Sequence, residues 1–193
     1  NEKSLENIFK ESPVIITTHC EDSPMILKNE KKFLEKYGEN IPFSYHSDIR
    51  SREACLNSTS SALELARKYN SQLHVLHIST SEEVQLFEAG PIKNKQITAE
   101  ACIPHLFFSK EDYSDKGSQI KCNPSIKEIA DQKSLIAGLK TGRIDFVATD
   151  HAPHSVEDKN NLYMDCPAGM PSIQHALMVV LQMVHNGNIK IED

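Results

Sequence analysis

Four apolar runs rich in β-branched residues punctuate this chain, and helical patterns fill the intervals between them. The runs are Val14-Ile15-Ile16-Thr17-Thr18-His19, Leu73-His74-Val75-Leu76-His77-Ile78, a shorter and weaker Gln96-Ile97-Thr98-Ala99-Glu100-Ala101, and Ile144-Asp145-Phe146-Val147-Ala148-Thr149. Continuous β-branched runs are expected of strands buried on both faces. Between them, Ser23 and Pro24 open a helical pattern that stops at Gly38. Arg52 to Tyr69 carries Ala54, Leu56, Ala62, Leu63, Leu65 and Ala66, mostly on one helical face. Thr80 with Glu83, and Ser125 with Glu128, have capping-box spacing. Gly90-Pro91 ends the first of those helices and Gly142 the second, and a last helix is expected from about Ser172 to His185, before Gly187. Strands alternating with helices imply parallel βα units. Four units suit half of a (β/α)8 barrel or a small doubly wound sheet, and both place chemistry at strand carboxyl ends. The chain has no G-x-G-x-x-G and no P-loop, which favours the barrel. A whole barrel typically needs about 250 residues, whereas this chain has 193.

Composition removes several function classes. With 39% hydrophobic residues the chain can build one sizeable core. Its net charge of -6 and lack of a basic run argue against a nucleic-acid partner. No apolar stretch approaches the roughly 18 to 20 residues of a membrane span, and no signal peptide is visible, so no membrane partner is expected. Five scattered cysteines without a C-x-x-C pair fit a reducing, cytoplasmic setting. The chain opens at Asn1, inside what reads as the end of a helix, and is expected to be a piece of something longer.

The chemistry-bearing residues sit where strands end. Phe146-Val147-Ala148-Thr149-Asp150-His151-Ala152-Pro153-His154 is an apolar run that stops at an aspartate, with two histidines close behind. His19 ends the first run and His77 lies at the end of the second. Imidazole and carboxylate suit zinc and its relatives, and His19, His77 and Asp150 are expected to converge at one mouth as metal ligands. An open fourth position would hold a water. A single strand-end histidine is more often a core or capping residue; the coincidence of three is what counts. His74, three residues before His77, is expected to face the helical layer instead. His46, His175 and His185 read as structural or surface residues, and His105 and Glu100 stay ambiguous. His154 is held over the mouth by a short proline loop and suits support of the ligands or substrate binding rather than ligation. Asn123, beside Pro124, is on its own an ordinary turn residue. Ala168-Gly169 can offer bare backbone groups to a ligand. The Lys/Asn/Asp-rich stretch 155–165 is either a closing loop or simply solvated.

Together these motifs resemble the dihydroorotases of the amidohydrolase superfamily, of the class I bacterial type. The resemblance rests on Thr18-His19-Cys20-Glu21-Asp22, His74-Val75-Leu76-His77-Ile78-Ser79-Thr80, Lys121-Cys122-Asn123-Pro124 and Ala148-Thr149-Asp150-His151-Ala152-Pro153-His154, in that order. It implies a metal-dependent (β/α)8 TIM barrel, with this chain covering roughly strands five to eight. It further implies the zinc-dependent, reversible cyclisation of N-carbamoyl-L-aspartate to dihydroorotate, with two zinc ions per complete site. By the same resemblance His19 and His77 hold the second zinc. Asp150 binds the first and moves the proton, and Asn123, His154, Ala168 and Gly169 contact substrate. Self-association and an aspartate transcarbamoylase partner are implied as well.

The chain also departs from the family pattern. It has no H-x-H pair, no bridging carboxylate of a fourth strand, and none of the arginine that follows H-x-H. Ser125-Ile126-Lys127 stands where many relatives have Pro-Leu-Arg, so the charge is kept without the bidentate fork. Truncation explains the missing ligands most simply, and 1–193 is expected to be the carboxyl-terminal part of a barrel, weakly active or inactive alone. Two alternatives stay open: a hydantoinase- or allantoinase-like cyclic amidase, and an inactive subunit that scaffolds aspartate transcarbamoylase.

Overall fold

The structure is a computed structural model that describes residues 2–192. A helix, Glu2–Glu11, precedes four strands: β1 Ile16–Thr18, β2 Leu73–Val75, β3 Ile97–Cys102 and β4 Phe146–Ala148. All pair in parallel in the order β1-β2-β3-β4. The register sets Thr17 beside His74 and His74 beside Thr98 on one face, with Glu100 beside Phe146.

Because side chains alternate along a strand, the sheet has two unlike faces. Leu73, Val75, Ala99 and Ala101 are fully buried against Ala62, Leu63 and Ala66 of helix Arg52–Tyr69 and Leu135 and Leu139 of helix Ile129–Thr141. Removal of this apolar surface from water is the main force holding helices to sheet. The opposite face carries Thr17, His74, Thr98, Glu100 and Phe146 around a cavity of about 540 Å³.

Several elements differ from the sequence expectation. The third strand, expected to be weak, is the longest, because β2 and β4 pair with both its sides. The first run is not buried on both faces: Val14 and Ile15 are 67% and 49% exposed and stand outside β1. Phe146 and Val147 of β4 are exposed too. Both strands are sheet edges without a second neighbour among the described residues. Helix Ser23–Tyr37 is capped by Asp22, whose carboxylate accepts the Met25 amide at 3.1 Å, and not by Ser23. The Thr80–Glu83 capping box forms as expected. The Ser125–Glu128 box does not: Glu128 pairs with Asp131 instead, while buried Ser125 donates to the Arg50 carbonyl at 2.9 Å. The last helix starts only at Ala176, because Ser172 is drawn to the Thr149 carbonyl at 2.6 Å. Among the described residues no helix is long and apolar enough to cross a membrane.

Candidate active site

His19 and His77 leave β1 and β2 at the same end of the sheet and meet there, His19 Nδ1 lying 3.0 Å from His77 Nε2. His19 Nε2 lies 2.8 Å from Glu21 Oε2. Glu21 is buried, which pushes its carboxyl up. The His19 hydrogen bond and the Arg50 guanidinium more than offset this and hold it below the usual carboxylate range. An ionised Glu21 can only accept, so His19 Nε2 donates to it, and Nδ1 is the ring nitrogen turned towards His77. This is the carboxylate–histidine arrangement that orients metal-binding imidazoles.

His77 reaches this position through a backbone φ of 36°. Its amide lies 3.3 Å from Glu100 Oε1, and Glu100 Oε2 in turn lies 3.1 Å from His74 Nε2. His74 therefore faces the polar cavity and not the helical layer, contrary to the sequence expectation. The strand stops at Val75, and the left-handed turn at His77 re-aims that ring, so spacing along a strand no longer governs the pair. Burial, then the nearby His19, lowers the His77 pKa, with Asp150, Glu100 and Glu21 pulling the other way. His77 Nδ1 is buried with no hydrogen-bond partner among the described residues.

The pair fits zinc. Two imidazole nitrogens at zinc–nitrogen distances of about 2.0–2.1 Å on a tetrahedral ion stand about 3.3 Å apart, close to the 3.0 Å found here. Asp150, also held in a left-handed conformation with φ 46°, lies near enough for its charge to act on His77 and on the Cys102 and Cys122 thiols. Among the described residues, however, no three His, Cys, Asp or Glu side chains are gathered as a metal-holding group.

A second wall is built from backbone. Asn123 precedes Pro124 through a cis peptide bond, and its side-chain oxygen is buried without a partner. Buried His105 donates through Nε2 to the Pro124 carbonyl, 2.8 Å away, which ties it to this wall. His46 bonds the Cys122 carbonyl at 2.8 Å through Nε2 and the Tyr163 hydroxyl at 2.7 Å through Nδ1. It is structural, as expected, while His151 accepts the Ile173 amide at 3.2 Å. Arg50 joins the two walls, since its guanidinium pairs with Glu21 and its carbonyl accepts Ser125.

His154 Nε2 lies 3.1 Å from the Ala168 carbonyl. Gly169 has a φ of 140°, and a Cβ there would stand 2.5 Å from the Ala152 carbonyl oxygen and 3.0 Å from His154 Nε2. Only glycine permits that approach. The Gly169 amide is already given to the Lys121 carbonyl at 2.8 Å, and its own carbonyl accepts Lys159 at 3.1 Å. Stretch 155–165 is no open loop either. Residues Val156–Lys159 form a helical turn capped by Ser155, and Lys159 and Tyr163 are buried. Sequence reasoning thus gave no role to Glu21, Lys121 and Lys159. Only Glu21, two residues beyond His19, carried a local signal.

No family model matches the chain. It is 32% identical to the dihydroorotase of Halobacterium salinarum over 179 residues, 93% of this chain and 40% of that protein. It is 33% identical to the dihydroorotase of Bacillus subtilis over 183 residues, 90% of this chain and 40% of that one. The L-hydantoinase (dihydropyrimidinase) of Arthrobacter aurescens superposes with a TM-score of 0.91 over 100% of this chain and 44% of its own length, at 22% identity. That likeness is one of fold, and it makes the four-stranded sheet a segment of a TIM barrel. The chain spans about 40% of the length of the curated relatives it matches. On a sequence match that runs along 90% or more of its own length, the chain belongs to the dihydroorotase family.

Proposed function

We propose that residues 1–193 are the carboxyl-terminal part of a dihydroorotase, contributing strands five to eight of its barrel. The complete protein interconverts N-carbamoyl-L-aspartate and dihydroorotate. The observation that carries this is the His19–His77 pair, backed by Glu21 at one sheet mouth. His19 through Nδ1 and His77 through Nε2 hold one zinc, and Asp150 a second, with the remaining ligands outside this chain. When bound, zinc supplies Lewis acidity to the ring carbonyl and the attacking water. Asp150 takes the proton of that water at its carboxylate and returns it to the leaving ring nitrogen, one group serving as base and then acid. His154 helps hold the substrate carboxylate, and Asn123, whose buried side-chain oxygen is an unpartnered acceptor, contacts the substrate together with Ala168 and Gly169. Five free, buried thiols suit a cytoplasmic protein. Exposed β1 and β4 edges favour association, with the rest of the barrel, with further copies, or with aspartate transcarbamoylase.

The test is zinc content and dihydroorotase turnover, measured on the full-length gene product and on this chain alone. Activity with about two zincs in the longer protein, and little or none here, is the expected result. Turnover of hydantoin but not dihydroorotate would reassign the substrate. No turnover and no zinc in the full-length protein would leave a scaffold.

A further inference from the structure

Two lysines are buried beside the expected substrate contacts, Lys121 at 8% exposure and Lys159 at 9%. Neither has a carboxylate within ion-pair distance among the described residues; both spend their protons on backbone carbonyls. Lys159 Nζ donates to Lys121 at 3.2 Å, Pro167 at 3.1 Å and Gly169 at 3.1 Å. Lys121 Nζ donates to Tyr163 and Cys166, each at 2.6 Å, and lies 4.3 Å from the centre of the Tyr163 ring. The Gly169 amide closes the circuit on the Lys121 carbonyl. Lys159 also shares with His154 and Gly169 the wall of a cavity of about 570 Å³.

An ammonium has three donors in a tetrahedral set, and Lys159 uses all three to gather residues 121, 167 and 169. A buried charge is costly unless it is solvated, and here carbonyl dipoles do that work without cancelling the charge. The Lys159 charge therefore remains on the cavity wall it shares with His154 and Gly169, and that of Lys121 sits at the Tyr163 and Cys166 carbonyls of the same segment. Burial lowers the pKa of both, so a nearby anion would also favour their charged state.

We propose that Lys121 and Lys159 form a clamp that positions segment 162–170 and biases that side of the mouth towards an anionic substrate group. This deepens the proposed function and rests on it for the identity of the anion. Both lysines are positioning residues: they act through the backbone they hold.

The test uses the full-length protein with Lys159→Met, Lys121→Met and Lys159→Arg. Amide exchange across 162–170 and steady-state kinetics on dihydroorotate are the readouts. Either methionine variant is expected to speed exchange there about tenfold or more, and to raise KM about tenfold with a smaller fall in kcat. Lys159→Arg keeps the charge without the fit and should fall between. Unchanged exchange overturns the clamp. Faster exchange with unchanged KM overturns its role in substrate positioning. Should a methionine variant fail to fold, the wild-type protein decides: both side-chain ammonium groups must give slowly exchanging proton–nitrogen signals, and their absence overturns the clamp. A wild type without turnover overturns the dihydroorotase assignment instead, and exchange still reads the clamp alone.

Discussion

The two walls of the mouth are built on opposite plans. On the β1–β2 wall, side chains hold side chains: Glu21 holds His19, and Arg50 holds Glu21. Glu100 holds the amide of His77 and is itself held by His74. On the wall formed by 121–124 and 150–170, side chains hold backbone: Lys121, Lys159, His46 and His105 all end on carbonyls. The first plan aims lone pairs and leaves one ring nitrogen of His77 without a partner. The second fixes the course of a loop. On the proposed function this division is what the chemistry asks for: tunable donors where a cation is held, and fixed shape where a substrate is fitted.

Replacing His77 with alanine breaks the first wall at its centre. In the full-length protein the expected loss of turnover is about 10³-fold or more, since the proposed ligand of the catalytic ion is gone, and zinc content should fall with it. Turnover within tenfold of wild type would remove His77 from the site. The matching break in the second wall is Gly169→Ala. The new Cβ meets the Ala152 carbonyl oxygen at 2.5 Å, on a backbone at φ 140°. Clash and left-handed strain together should cost about 2–4 kcal/mol, read as a lower midpoint in urea. An unchanged midpoint would mean that the loop is free to move, against the backbone-holding plan. Glu21→Gln sharpens the contrast more gently. It keeps the shape but lets the side chain offer a donor to His19, and zinc affinity should fall about 10- to 100-fold with the fold intact. Unaltered affinity would show that Glu21 serves Arg50 alone.

The two walls also differed in how far the sequence disclosed them. The placement of His19, His77 and Asp150 just beyond three strands was legible because a strand end has a sequence signature: an apolar run that stops at a ligand-type residue. The helices at 23–37 and 52–69 were legible from a glycine stop at Gly38 and from an apolar face. His74 was misplaced because alternation holds only while the strand lasts, and β2 ends at Val75. Ser125 has the spacing of a cap, but a tertiary bond to Arg50 claims its hydroxyl. Lys121 and Lys159 were illegible in principle. Lys159 among charged and amide neighbours reads as solvated, Lys121 between Ile120 and Cys122 shows no partner nearby in sequence, and only the carbonyls brought round them from residues 163–169 make them buried anchors.

The supports of the second wall also carry a pH dependence of stability. Burial is the main cause that pushes His46 and His105 each down to about 3 from 6.5, despite the backbone hydrogen bond each makes. Both are neutral in the folded protein throughout the mildly acid range. The unfolded chain takes up a proton at each below about 6.5, so it binds more protons than the native state there. Stability is therefore complete above pH 6.5 and declines as pH falls towards 3. Each histidine contributes a slope of about 1.4 kcal/mol per pH unit in that window. His77, also lowered, adds in the same direction. Glu21, Glu100 and Asp131, all held below the usual carboxylate range, contribute only once pH drops beneath 4.5. Buried Glu83, which is raised, opposes the decline. Urea unfolding at pH 7, 6 and 5 for wild type and for His46→Gln isolates one support from this background. The variant should be less stable at pH 7, because Gln cannot reproduce both bonds of the ring, yet show a shallower decline. Parallel declines would mean that His46 is protonated in the native protein, and that its contact with the Cys122 carbonyl belongs to a charged ring rather than to a neutral strut.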